Sequence, residues 1–330
     1  MKSKASIINN DKIVWKYGKQ APVVLMMDDL CNKYMTDRNS GDYIGADWGG
    51  HCKSENSWYR FVKERIFDRY PYVKMTCFLV TGRRENLITG GRSNVSLAMD
   101  ETEEFKAFIK ELSADERIEL AYHGYTHGKC SSNGDAKGFV QEWDSFLAVD
   151  EAIKTIKAGT DIYEHVTGKR FKGGKYCGYA SNEFSDETIV KSGFEYWCRH
   201  WDNVIGGIKG ESLDMEMFGG VVDIPSTVDG NLFSLREYKH LFSREYVKAL
   251  YKKLRYGITL EKTLDELVRN GQVISIQSHT SPMREDNKRQ YPNIIDDIDN
   301  IIYILEYLKK YDLWYATCGE IAEYYRDNLA

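Results

Sequence analysis

The sequence predicts an α/β fold, a barrel of parallel strands with outer helices, and two observations carry that prediction. Short runs rich in Val, Ile, Leu and aromatic residues alternate along the chain with stretches whose apolar residues recur at helical spacing, the order of a β–α–β fold. Several of those runs are apolar throughout, as strands are when both faces are covered.

The strand runs fall at residues 23–27, 75–80, 118–122, 175–177, 196–199, 221–225, 273–278 and 313–317. Between them, residues 58–70, 102–112, 144–166, 185–192, 242–256, 260–269 and 294–308 read as amphipathic helices. The stretch at 185–192 opens on Ser-Asp-Glu, a cap-like start, and 294–308 carries Ile and Leu at i, i+3, i+4 and i+7. No Pro/Gly/Ser-rich linker divides the chain, so residues 1–330 read as one catalytic domain. Residues 30–57 break the alternation, being rich in Gly, Asp, Asn and Tyr without periodicity. A long irregular stretch directly after a strand reads as a loop insertion over the active face of a barrel.

Of the 330 residues, 42% are hydrophobic and 29% charged, and the formal net charge is −5. That balance excludes a general affinity for nucleic acid, which needs clustered Lys and Arg to displace counterions. The chain has an odd number of cysteines, at 31, 52, 77, 130, 177, 198 and 318, with no CxxC pair, the usage of a reduced compartment. The first twenty residues contain no continuous apolar run of the signal-peptide type, and no run approaches the ~20 residues of a membrane span. The expectation is a cytoplasmic protein with neither a nucleic-acid partner nor a membrane span.

Three signals stand at strand ends. Val-Val-Leu-Met-Met runs into Asp28-Asp29; adjacent carboxylates raise one another's pKa, and a cation relieves the cost, although a solvated acidic turn has the same sequence. Ile-Glu-Leu-Ala-Tyr runs into His123-Gly-Tyr-Thr-His127. On a helical turn, imidazoles at i and i+4 lie on one side, about 5–6 Å apart at Cβ, and suit one divalent ion. Val-Ile-Ser-Ile-Gln-Ser runs into His279, a lone histidine whose weight comes from the other two signals. Together they can build a metal site of two His and one Asp, with an Asp base and a His acid beside it.

In order and context these motifs resemble the polysaccharide deacetylase family, carbohydrate esterase family 4, from about residue 20 to 325. Met-Met-Asp28-Asp29-Leu stands where that family has Thr-Phe-Asp-Asp-Gly, His123-Gly-Tyr-Thr-His127 matches its His-(Ser/Thr)-x-x-His, and Gln277-Ser278-His279 its Leu-x-His. The segments at 74–80, 222–225 and 316–321 resemble its second strand, a late strand and its C-terminal end. The resemblance implies a distorted, seven-stranded (β/α) barrel. It makes Asp28 the general base, His279 the general acid, and Asp29, His123 and His127 the ligands of a divalent ion, Zn2+ first. The substrate it implies is an acetylated sugar or oligosaccharide. The third motif departs from the family: Gly174-Lys175-Tyr176-Cys177-Gly178 lacks the Arg and Pro of Arg-x-Pro-(Tyr/Phe)-Gly. Lys175 or Arg199 is then the partner of the base, and the Tyr176 or Cys177 N–H the oxyanion donor. Trp48, in the 30–57 loop, is a stacking platform for the sugar beside Asp47 and His51, and Lys175, Tyr176 and Arg199 complete the substrate-binding set. Two rivals stay open: a sugar-binding protein without catalysis, and a metal-independent glycoside hydrolase, which would leave the histidine pair unexplained.

Overall fold

The Val-Val-Leu-Met-Met run becomes the central strand of the molecule, buried along its whole length from Pro22 to Leu30. The structure, a computed structural model, describes residues 14–36, 43–46, 58–84, 94–129, 140–200, 213–228, 235, 244–280 and 294–328. In chain order its strands are β1 (Pro22–Leu30), β2 (Asn32–Thr36), β3 (Tyr43–Ala46), β4 (Met75–Leu79), β5 (Asn94–Leu97), β6 (Ile118–Tyr122), β7 (Gly128–Lys129), β8 (Val140–Gln141), β9 (Gly173–Lys175), β10 (Tyr196–Cys198), β11 (Glu216–Phe218), β12 (Val221–Asp223), β13 (Ile274–His279) and β14 (Trp314–Tyr315).

Nine of these form one sheet, ordered β11-β12-β10-β9-β6-β4-β1-β13 with β14 beside β1. The seven strands from β12 to β13 along that path run parallel, as an α/β fold requires; β11 is antiparallel at the far edge. Past β12, the chain returns to the other end of the path through an isolated parallel bridge between Val228 and Ile276. Thr227 and Pro225 add side-chain and backbone hydrogen bonds to β13 there.

Strand alternation sorts the core into two layers. Val23, Leu25 and Met27 face outward, into the larger cluster shared with the helices, while Val24 and Met26 face the smaller one with Phe78, Ala121, Tyr196 and Val222. The helices Glu103–Ala114, Val149–Thr167, Leu260–Asn270 and Ile294–Leu308 cover the outer face with apolar stripes. The helix Cys318–Asn328 covers the inner cluster from the N-terminal strand ends, where the half-buried Glu119 accepts the Gly319 N–H at 2.7 Å. No described helix is long and apolar enough to cross a membrane.

Several elements differ from expectation. Part of the predicted 30–57 loop is ordered sheet: β2 pairs with β3 and with β5 in a three-stranded antiparallel layer. Strands this short need only backbone partners, so hydrophobic periodicity does not reveal them. The third-motif strand lies at Gly173–Lys175, and Cys177–Tyr179 forms a tight 3-10 turn. The helix expected over 58–70 shortens to Trp58–Val62 and widens into a π-helical turn over Lys63–Phe67.

Candidate active site

The C-terminal end of β1 carries both aspartates. In a regular strand, neighbours point to opposite faces, which would send Asp28 and Asp29 apart. The ladder to β4 slips between Met27 and Leu30, and Asp29 adopts φ 71°. This bulge re-aims the second carboxylate, a common device beside active sites. Asp28 keeps the inward direction of Val24 and Met26 and pairs in register with His279 on β13.

Asp28 is buried and fully engaged. Its Oδ1 accepts from Lys175 Nζ at 2.7 Å and its Oδ2 from Gln277 Nε2 at 3.3 Å. Burial works most strongly against the Lys175 ammonium, but the Asp28 carboxylate, joined by Tyr179 and Cys198, holds that pKa above the ordinary lysine value. Lys175 thus takes the partner position. Gly173 and Gly174 let its strand run close under neighbouring rings: a Cβ on Gly174 would sit 2.3 Å from the Trp197 ring and from the Tyr122 carbonyl oxygen.

The histidine pair is not on a helix. Gly124 at φ 120° and His127 at φ 69° bend the segment into a loop, folded around the buried Glu142. That carboxylate accepts the N–H groups of Tyr125, Thr126 and His127 at 2.9, 2.7 and 2.8 Å. The helical expectation fails because a residue fifteen positions on collects these donors, and Gly124 supplies a φ other residues avoid. The rings nonetheless meet, with centroids 5.1 Å apart.

Three donors converge. Asp29 Oδ1 lies 3.0 Å from His127 Nε2 and 3.5 Å from His123 Nε2. His123 Nδ1 is 3.0 Å from the Lys175 carbonyl, which can only accept, so in the neutral ring Nε2 turns a lone pair toward Asp29. Asp29 Oδ2 takes Arg84 at 3.2 Å, while Oδ1 is buried without a hydrogen bond. A lone pair facing a carboxylate oxygen, with nothing between, is the arrangement a cation resolves. The two histidines and Cys177 also offer ligand atoms within 4.8 Å of one another. Asp29 is the better third donor, because the Cys177 thiol already donates to the His123 carbonyl and burial pushes its pKa well up. The residues present therefore fit a divalent ion.

The charges are set to match. Burial opposes the Asp29 carboxylate, yet Arg84 and then His127 hold its pKa well below the usual range. Burial, then Arg84, push the His127 imidazole down to about 4, against the pull of Asp29. Its ordinary value is 6.5, so between pH 4 and 6.5 the unfolded chain binds the proton that the folded chain refuses. Stability of the metal-free protein should therefore climb as pH rises through this window, by roughly 3 kcal/mol at 1.36 kcal/mol per unit. Urea unfolding at stepped pH checks this; His127→Gln should flatten the rise, and an unchanged slope in that variant would refute the assignment.

The other expected residues fall in different places. His279 stands at the end of β13, with the following Thr280 N–H bonded to the Asp28 carbonyl at 3.0 Å. Tyr176 is buried against Trp143 and Trp197, its hydroxyl on Asp186 and its N–H on the Cys198 carbonyl; it lines the core rather than the pocket, and its N–H is engaged. Arg199 does not reach Asp28. It holds Asp186, Glu216 and Asp223 and packs over the Phe218 ring. Lys175 is fully buried, and its ammonium is spent on Asp28. Trp48, Asp47 and His51 lie outside the described residues. Arg84 and Gln277 were not foreseen; Gln277 was legible, since strand alternation puts it on the same side as His279.

No family model matches the sequence, and no curated protein does either. Solved structures do. A probable polysaccharide deacetylase from Pseudomonas aeruginosa PAO1 superposes with a TM-score of 0.54 at 13% identity, covering 98% of this chain and 96% of that one. The PuuE allantoinase superposes with a TM-score of 0.53 at 13% identity, over 98% and 95%. The fold is that of the polysaccharide deacetylases, as the sequence resemblance implied, and an allantoinase shares it.

Proposed function

We propose that this chain is a metal-dependent hydrolase that removes the acetyl group from an N-acetylated sugar, an intracellular intermediate of surface-polysaccharide or glycoconjugate synthesis. The observation that carries the reading is the meeting of Asp29, His123 and His127 around the partnerless Asp29 Oδ1, beside a carboxylate pinned by Lys175 and Gln277. Asp29, His123 and His127 would hold the ion, with Zn2+ the first choice for two imidazoles and one carboxylate. When bound, such an ion supplies Lewis acidity, polarising an acyl carbonyl and acidifying water.

The chain's own groups do the rest. Lys175 and Gln277 fix both oxygens of Asp28 and so aim the carboxylate that takes the proton of attacking water. The Lys175 carbonyl meanwhile holds the Nδ1 proton of His123 and so selects which ring nitrogen faces Asp29. One residue thereby positions the base and sets the tautomer of a ligand. His279, in register with Asp28 on the adjacent strand, protonates the departing amine.

The test is metal content on purified protein, wild type beside His123→Ala/His127→Ala, followed by acetate release from N-acetylated sugars. About one equivalent of zinc or a similar ion in the wild type, lost with acetate release in the variant, is the expected result. A wild type that takes up no metal after reconstitution would overturn the reading. Because the fold also carries an allantoinase, allantoin belongs in the panel; its hydrolysis without acetate release from any sugar would move the substrate to the ureides.

A further inference from the structure

The helix Arg244–Tyr256 turns its apolar stripe away from the protein. Val247, Tyr251 and Leu254 follow one another at i, i+4 and i+7, which places them on one side, and they are 53%, 55% and 77% exposed. The opposite side is the buried one, with Ala249 at 3% and Lys252 at 7%. Exposed Lys248 and Arg255 run along one edge of the stripe, in a chain whose net charge is −5. Tyr251 and Tyr256 stand edge to face with centroids 6.0 Å apart, and the Arg255 guanidinium lies over the Tyr256 ring.

An outward apolar stripe edged by basic residues and tyrosines is the pattern of a helix that lies in the headgroup layer of a bilayer. We propose that this helix docks the protein on an anionic lipid surface, parallel to the membrane plane. Val247, Tyr251 and Leu254 enter the acyl boundary, and Lys248 and Arg255 meet lipid phosphates. Charge selects this occupant over a second copy of the chain: two such helices face to face would set Lys248 and Arg255 against like charges, whereas an anionic surface complements them. At 13 residues the helix is about 20 Å long, enough to lie on the surface but too short to span it. The proposal stands on the helix alone and is independent of the chemistry at β1.

The experiment is flotation of the full chain with phosphatidylcholine vesicles and with mixed phosphatidylcholine/phosphatidylglycerol vesicles, alongside light scattering in solution. The wild type should float with the mixed vesicles and be released by high salt. Lys248→Gln and Arg255→Gln should each weaken binding about fivefold. Val247→Glu/Leu254→Glu, substitutions at exposed positions, should abolish it while circular dichroism stays native. Equal behaviour on neutral and mixed vesicles, or undiminished binding by the double Glu variant, would overturn the proposal. So would a dimer that this variant dissolves, with no flotation of the wild type, which assigns the face to a second copy.

Discussion

Asp28→Asn should lower turnover by about two to four orders of magnitude, the usual worth of a positioned base, while the metal content stays that of the wild type. Asn is nearly isosteric, and its amide oxygen can still accept from Lys175, so the strand and the ligand set keep their places. What disappears is the basic oxygen. The same change strands part of the Lys175 charge, since a neutral amide replaces the carboxylate 2.7 Å from its ammonium, and breaking a buried pair costs up to about 3–5 kcal/mol. Activity is therefore read well below the unfolding temperature, with circular dichroism to confirm the fold. Turnover within the wild-type range would remove Asp28 from the chemistry. Lost turnover together with lost metal would show that the two aspartates act as one ligand unit.

Gly174→Ala should be among the most damaging glycine-to-alanine changes at the described positions. The added carbon would meet the Tyr122 carbonyl oxygen and the Trp197 ring at 2.3 Å. The ring sits in a packed aromatic group with Trp143, Tyr176 and Phe194, and the carbonyl belongs to a central strand. Neither can retreat cheaply, so the cost lies at or beyond the upper end of overpacking, about 3 kcal/mol. The displaced strand also carries Lys175, so the base and the His123 tautomer should be disturbed together. Gly168→Ala is the comparison. Gly168 has φ +70° and open space around its missing side chain, so only backbone strain is paid there, roughly 1 kcal/mol, with the site untouched. Equal losses in the two variants by urea unfolding would show that the close approach at Gly174 carries no special weight.

What the sequence disclosed follows from where the chemistry sits. Asp28, His123 and His279 each end an apolar run, and hydrophobic pattern locates such runs well, so the placement of these residues at strand ends was legible. The bulge was not. Nothing in Met-Met-Asp-Asp-Leu announces a positive φ at Asp29, because a bulge is imposed by the ladder to β4. The loop around the histidines was hidden for a similar reason: Glu142 acts across fifteen residues, and i, i+4 spacing alone suggested a helix. Arg84 lies in the segment that leaves β4 and reaches Asp29 only through the parallel pairing of β1 and β4. Tyr176 and Arg199 misled in the opposite direction. A Tyr and an Arg near a motif look like ligand-binding groups, yet burial beside Trp143 and Trp197 takes the first, and three carboxylates take the second.

Two of the three proposed ligands, Asp29 and His127, sit in backbone conformations that residues with a side chain rarely adopt. Each position costs folding stability, on the order of 1 kcal/mol or more, and that cost returns only through what the aimed side chains accomplish. Replacement of Asp29 or His127 by Gly should therefore relieve backbone strain while removing the carboxylate or the imidazole from the site.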